Sequence, residues 1–300
     1  MKKAILVLTW LFVATSLMFS QQPERKLTLT NVAGNVYQLT GMGGNMGALV
    51  GPDGVLLIDT AAGPVLPQIK QALAAVTDKP IRYVVITHYH FDHVGSNAQV
   101  SKEAPIIAHE NVRQRMASEK KLPALNESYP PDAADALPAI TYNGSMTIHI
   151  NGEDVRLFHF ANAHTDGDTV VYFPKSNVVH MGDELFAGSY PFVDVDNGGN
   201  VIGLADAVDM VLSLVPPDAK FIAGHGPVYT AAQMKDYSAF LKDSVNLVES
   251  AMKQGKTLDQ MKTEGVLDKY DKMNGFIKTP QFTDFVYRSL QDRKKAPIAD

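Results

Sequence analysis

The sequence predicts one α/β domain, and three observations predict it. Short apolar runs punctuated by glycine alternate with helical stretches from residue 36 onward. Histidine and aspartate stand directly after several of those runs, where a strand gives way to a loop and polar side chains can converge without filling the core. No linker-like tract, repeat or low-complexity stretch divides the 300 residues, and a mature chain of about 280 is ample for a single core.

The elements follow in order. Met1-Lys2-Lys3 and the apolar run 4–19 have the charged start and hydrophobic length of a secretory signal peptide. The alternative is a membrane anchor, but so short a run falls below a bilayer span and no basic stop-transfer follows it. A leader of residues 1–20 is expected, cut after Ala14-Thr15-Ser16 or near Ser20, leaving a periplasmic or secreted protein with no stable membrane insertion. The chain has no Cys, so neither a lipid anchor nor a disulfide is available and the core alone must hold the exported fold. Residues 36–39, 48–50 and 55–58 read as strands, and 64–76 as an amphipathic helix opened by proline. Residues 81–86 form a mostly buried strand and 106–108 continue the same sheet. Residues 124–138, rich in Ala, Pro and Asp, read as a surface connection. Met146, Ile148 and Ile150 alternate with polar residues and start a second half, continued by strands at 155–160, 178–181 and 221–223. Helices are expected at 204–215, stopped by Pro216-Pro217, at 231–253, and in two further segments ending near residue 294. Residues 21–230 would form the catalytic domain, with 231–300 packed on it.

Charge narrows the function. The net charge is -5, and loss of Lys2 and Lys3 with the leader moves it to -7. An acidic exported protein lacks the basic surface that nucleic acid requires, so a small-molecule substrate is expected.

The chemistry centres on His88-Tyr89-His90-Phe91-Asp92-His93, four potential metal ligands in six residues just past the strand 81–86. In extended chain His88 and His90 point the same way and can share one ion. A turn at Phe91 then offers Asp92 and His93 to a second, and two nearby cations call for a bridging carboxylate elsewhere. His164, Asp183 and His225 each follow a strand-like run beside glycine, which completes seven candidate ligands. His149, His159 and His180 lie inside strand-like runs and are expected to pack or hydrogen-bond rather than ligate. His109 ends a strand and could support the site or simply pack.

In combination, HxHxDH, His164 in His-Thr-x-Gly-Asp, Asp183 in Gly-Asp and His225 in Gly-His-Gly-Pro closely resemble the metallo-β-lactamase superfamily, over residues 35–229. The resemblance implies a four-layer αβ/βα sandwich with a dinuclear site at one rim of two packed sheets. Carried over by position, His88, His90 and His164 would hold the first metal, Asp92, His93 and His225 the second, and Asp183 would bridge them. Asp59 stands where family members keep an acid that braces the His loop, as a carboxylate orienting a ligand His is expected to do; a helix cap for the segment at Pro64 is its other reading. The loop 41–47, with Met42 and Met46, resembles the superfamily's mobile substrate loop, and flexible thioethers suit adaptable contact. Asn200 sits in the region of a second substrate loop, where it would donate to a substrate carbonyl or mark a helix entry.

Five imidazoles favour two Zn2+, with iron or manganese left open by Asp92 and Asp183. Such ions lower the pKa of a shared water towards neutrality and polarise the carbonyl or phosphoryl oxygen, while Asp92 orients the nucleophile. Zinc β-lactamases of the best-known kind have Cys at the bridging position and Lys three residues later, where this chain has Asp183 and Phe186. Lactonases carry Tyr at that later position. Residues 182–188 look like glyoxalase II, without its basic glutathione-binding residues. The expectation is a metallo-hydrolase of a small β-lactam-type amide, lactone or ester. Alternatives are a glyoxalase II-like thioesterase, a phosphodiesterase, or a non-catalytic metal-binding module on the same fold.

Overall fold

The computed structural model describes residues 26–273 and 275–295, so the expected leader lies outside the described residues. The first half runs β1 (Thr28–Ala33), β2 (Val36–Thr40), β3 (Met46–Gly51), β4 (Gly54–Ile58), α1 (Leu66–Leu73), β5 (Ile81–Val85), α2 (Phe91–Val94), α3 (Asn97–Val100), β6 (Ile106–His109) and α4 (Glu110–Met116). A small hairpin of β7 (Lys120–Leu122) and β8 (Glu127–Tyr129) precedes β9 (Ile140–Tyr142). The second half runs β10 (Ser145–Ile150), β11 (Glu153–Phe160), β12 (Asp168–Phe173), β13 (Val178–His180), α5 (Val201–Leu214), β14 (Lys220–Ile222), β15 (Tyr229–Thr230), α6 (Ala231–Lys253), α7 (Leu258–Thr263) and α8 (Thr279–Lys295).

The strands form a seven-stranded sheet in the order β1-β2-β3-β4-β5-β6-β9 and a six-stranded sheet in the order β10 to β15. Period-two alternation explains how they stack. In β4 every residue is buried: Leu56 and Ile58 face the second sheet, while Val55 and Leu57 face the helices around Leu66, Ile69 and Val94. In β12, Val171 and Phe173 point inward, and Val170 and Tyr172 pack beneath α5, α6 and α8. Three apolar layers therefore separate helices, sheet, sheet and helices, as the four-layer expectation requires.

The sequence placed most elements within a few residues. The 231–253 helix matches α6, whose capping box at Thr230 and Gln233 fixes its start. The stretch 204–215 begins earlier, at Val201, because Asn200 accepts from the amides of Ile202 and Gly203 and caps α5. Phe240, Leu241, Phe282 and Phe285 of α6 and α8 join the apolar layer over the second sheet, so the C-terminal helices pack on the same core. No helix among the described residues is long and apolar enough to cross a membrane.

Topology chooses where a site can form. β4 and β5 run parallel in the first sheet, and β13 and β14 in the second. Their carboxyl ends lie at one rim, where loops after neighbouring strands must meet. β12 is antiparallel to β13, so its start, just after His164, reaches the same rim.

Candidate metal centre

The loops after β5, β11, β13 and β14 bring all seven sequence-predicted ligands together. His88, His90, His164 and Asp183 have ligand atoms within 4.8 Å of one another, and Asp92, His93 and His225 form a second such group. Asp183 reaches into both. Its Oδ2 lies 3.6 Å from His164 Nε2, 3.8 Å from His88 Nε2 and 3.3 Å from His225 Nε2, and its Oδ1 lies 3.1 Å from His93 Nε2.

The far side of each inner imidazole is tied down. His93 Nδ1 donates to Asp59 Oδ2 at 2.8 Å, and His164 Nδ1 donates to the Phe192 carbonyl at 2.8 Å. His90 Nε2 sits 3.1 Å from Asp194 Oδ2, which leaves Nδ1 facing His164 Nε2 at 3.0 Å. These contacts fix the tautomer and aim the remaining nitrogen inward. Asp59 is in place to orient His93. It also accepts from the Thr87 amide at 2.7 Å and the Thr87 hydroxyl at 2.8 Å, and holds a left-handed φ of 62° as the chain turns off β4.

Backbone leaves no slack around Asp183. A Cβ at Gly224 would stand 1.9 Å from Asp183 Oδ1, so only glycine lets the His225 loop approach. Asn45 clamps that loop by donating to the carbonyls of Ala223 at 2.9 Å and Gly226 at 2.8 Å.

Inward-aimed nitrogens without a partner mark a ligand site. His88 Nε2 is buried without a hydrogen bond, and buried His93 Nε2 and Asp183 Oδ1, 3.1 Å apart, make no well-aligned one. Leaving such groups unpaired is costly, and five imidazoles with two carboxylates are the donor set a divalent cation takes. Electrostatics agrees. Burial pushes the Asp183 carboxyl up, but His225, His93 and His88 together hold it well below its usual range. Burial depresses His225 and His93, yet Asp183 leads the carboxylates that outweigh it, raising His225 to about 10 and His93 well above the ordinary imidazole range. Burial keeps His164 down at about 4. The carboxylates around these imidazoles favour positive charge between Asp92 and Asp183.

A sequence profile of the metallo-beta-lactamase superfamily matches residues 39–241. The chain belongs to that superfamily. Curated relatives include the 2,4-dinitroanisole O-demethylase subunit alpha of Nocardioides sp. (strain JS1661), 30% identical over 172 residues that cover 55% of this chain and 48% of that protein. The chain thus spans about half the length of this relative. Another is the hydroxyacylglutathione hydrolase GloC of Haemophilus influenzae, 28% identical over 167 residues, 55% of this chain and 77% of the relative. Among solved structures, the sec-alkylsulfatase Pisa1 from Pseudomonas sp. superposes with a TM-score of 0.67 at 16% identity, covering 91% of this chain and 52% of that one, which speaks for the fold alone.

Two expected substrate contacts fall elsewhere in this superfamily member. Met46, expected on a mobile loop, is a wholly buried β3 residue, because the loop ends at Gly44 and strand pairing with Leu39 begins at Met46. Asn200 spends its side-chain oxygen capping α5 and sends its amide towards the Ser289 carbonyl at 3.4 Å, so it is a helix entry rather than a substrate donor. Met42 is partly buried against the helices over the first sheet. The bland readings of the other histidines hold. His149 is exposed and pairs with Asp154 at 2.7 Å, His109 caps α4 and stacks on His159 with ring centroids 3.5 Å apart, and buried His180 accepts from the Gly182 amide at 3.2 Å.

Sequence reasoning missed Asp194 and Asn45. Asp194 is buried, binds the Tyr89 hydroxyl as well as His90, and is steadied by Asn197 Nδ2 at 2.9 Å. Nothing in Phe192-Val193-Asp194 has ligand-like spacing, so no local signal could have found it. It also missed the carboxyl pair behind His164. Asp168 accepts from the Thr165 amide at 2.6 Å and is pushed by burial to about 7, while burial, and then Asp168, raise Glu184 well above its usual range.

Proposed function

We propose that this chain is an exported dinuclear zinc hydrolase that cleaves a small acyl substrate, an ester, lactone or β-lactam-type amide. The observation that carries this reading is the placement of Asp183, whose two carboxylate oxygens serve both ligand groups at the floor of an open cavity. Two bound cations would supply Lewis acidity and a water of lowered pKa. His88, His90, His164 and Asp183 would hold one, and Asp92, His93, His225 and Asp183 the other. Five imidazoles favour zinc, and the two carboxylates keep iron and manganese as alternatives.

The chain's own residues do the rest. Asp92 lines the cavity with Oδ2 3.3 Å from His225 Nε2, and although burial pushes its carboxyl up, His93 and His225 hold it below the usual range. It therefore stays ionised near neutral pH. An ionised carboxylate facing the substrate accepts the proton released as the nucleophile attacks and returns it to the leaving group. Ser189 adds a hydroxyl to the same wall.

The test is a panel of β-lactams, lactones, aryl esters, thioesters and bis-aryl phosphodiesters with 2,4-dinitroanisole, run on the zinc-loaded mature protein with Asp92→Asn as control. Thioesters and 2,4-dinitroanisole enter because two relatives are named for such substrates. Metal-dependent turnover of the acyl compounds, lost in Asp92→Asn, is the expected result. Phosphodiester cleavage alone would overturn the choice, and silence across the panel with metal bound would favour a non-catalytic metal module. Export is proposed on residues 1–20, and intact mass should show a product lacking Trp10, the single tryptophan. A product retaining it would indicate an anchor.

A further inference from the structure

The ligand cluster is one side of a cavity of about 290 Å3, and the other side is hydrocarbon. Phe91, Leu122, Leu125, Phe186, Phe192 and Phe276 line it, and neither Lys nor Arg does. No cationic side chain on the wall could pair with an anionic flank of a substrate, and Ser189 offers it only a hydroxyl. Two of these rings are poorly covered: Phe91 is 44% and Phe276 66% exposed. Large apolar rings left in water beside a functional centre mark a surface that a ligand covers.

Phe91, Phe186 and Phe192 come from the ligand loops themselves, and the rest of the wall comes from outside them. Phe91 stacks on Tyr129 of β8 at 5.3 Å, and Leu122 and Leu125 belong to β7 and the turn after it. Phe276 lies beyond residue 241, where the superfamily profile ends, in the segment joining α7 to α8. That segment is docked rather than loose. The Tyr190 amide donates to the Met273 carbonyl at 2.9 Å, and a Cβ on Gly275 would come within 2.8 Å of Ser189 Cβ.

We propose that the C-terminal segment forms the outer wall of the substrate site, that Phe276 is a specificity-determining residue, and that the substrate presents an uncharged apolar flank of about one aromatic ring. This deepens the hydrolase reading and rests on it. The size follows from the cavity, which is near the lower end of small-molecule sites, roughly 300 Å3. For an ester the step balances without another reactant. Water's oxygen bonds to the acyl carbon, the bond from that carbon to the alkoxy oxygen breaks, and the departing alcohol takes water's proton.

Trifluoroethyl esters of acetate, phenylacetate and succinate share one small leaving group and differ only in the flank, and they can be followed by acid release on the zinc-loaded protein. The phenylacetate should exceed both others in kcat/KM by about tenfold, and Phe276→Ala should lower the phenylacetate-to-acetate ratio about fivefold, mainly through KM. Met210→Ala, which trims an exposed apolar side chain of α5 outside this wall, should leave the ratio unchanged. Preference for the anionic hemisuccinate, or equal losses on all three esters in Phe276→Ala, would overturn the proposal. If no ester turns over, binding decides. Saturable binding of uncharged N-phenyl-1-naphthylamine that weakens in both Phe276→Ala and Phe91→Ala would sustain the apolar wall while the wider substrate panel decides the hydrolase reading, and absence of binding would overturn the apolar wall.

Discussion

On the metal side of the cavity, His88, His93 and His164 are almost wholly inaccessible, and a ring nitrogen of each is held by Thr87, Asp59 or the Phe192 carbonyl. On the opposite side, Phe91 and Phe276 leave 44% and 66% of their surface in solvent and have no polar handle to fix them. The first side is set by buried hydrogen bonds and a glycine that admits no Cβ, so a small displacement breaks it. The second is set by apolar contact, and at Phe276, which lies outside the ligand loops, a changed side chain alters fit without disturbing the ligands. Chemistry is fixed on one wall, and selectivity is adjustable on the other.

The largest effect should come from the shared point of the ligand set. Asp183→Ala removes the one carboxylate that serves both groups, and kcat/KM on any turned-over ester should fall about a thousandfold or more. A drop of less than about tenfold would mean that Asp183 is peripheral and that the rigid wall is not where catalysis resides.

Support of the ligands should rank next. Asp59→Ala strands His93 Nδ1 and the Thr87 amide, and should weaken metal binding by about 10–100-fold in a competition titration with a chromogenic chelator. Asp194→Asn keeps the volume and weakens one contact to His90, so its loss should fall at the lower end of that range, about tenfold. If either variant were as mild as Phe276→Ala in both metal affinity and kcat/KM, the contrast between the walls would disappear.

The smallest effect should appear at Asn200. Asn200→Ala removes the cap of α5 and should cost about 1 kcal/mol, a Tm decrease of roughly 2–4 °C for a domain of this size. kcat/KM should stay within about twofold. A tenfold loss in kcat/KM at unchanged Tm would return Asn200 to the substrate.

These contrasts track what could be read before folding. The candidate ligands were legible because each group of them follows a strand-like run, with Asp183 and His225 directly beside glycine, and parallel strands carry such positions to one rim. The layers were legible from period two, as in β4, where adjacent residues enter different apolar layers. Asp194 was not legible, because His90 and Asp194 are 104 residues apart and only the folded loop joins them. Nor was the apolar wall. Phe91, Leu125 and Phe276 come from separate stretches, and their meeting depends on where the β7–β8 hairpin and the α7–α8 connection dock. Met46 misled because a glycine-rich run looks loose until strand pairing starts, and Asn200 stayed open between helix entry and substrate donor because one side chain suits both.

Seven side chains are proposed to act as one two-ion centre. Elemental analysis of metal-replete, freshly purified mature protein should find close to two transition-metal ions per chain, and clearly fewer in Asp183→Ala and His164→Ala. One ion or none in the wild-type protein, with its fold intact by circular dichroism, would contradict it.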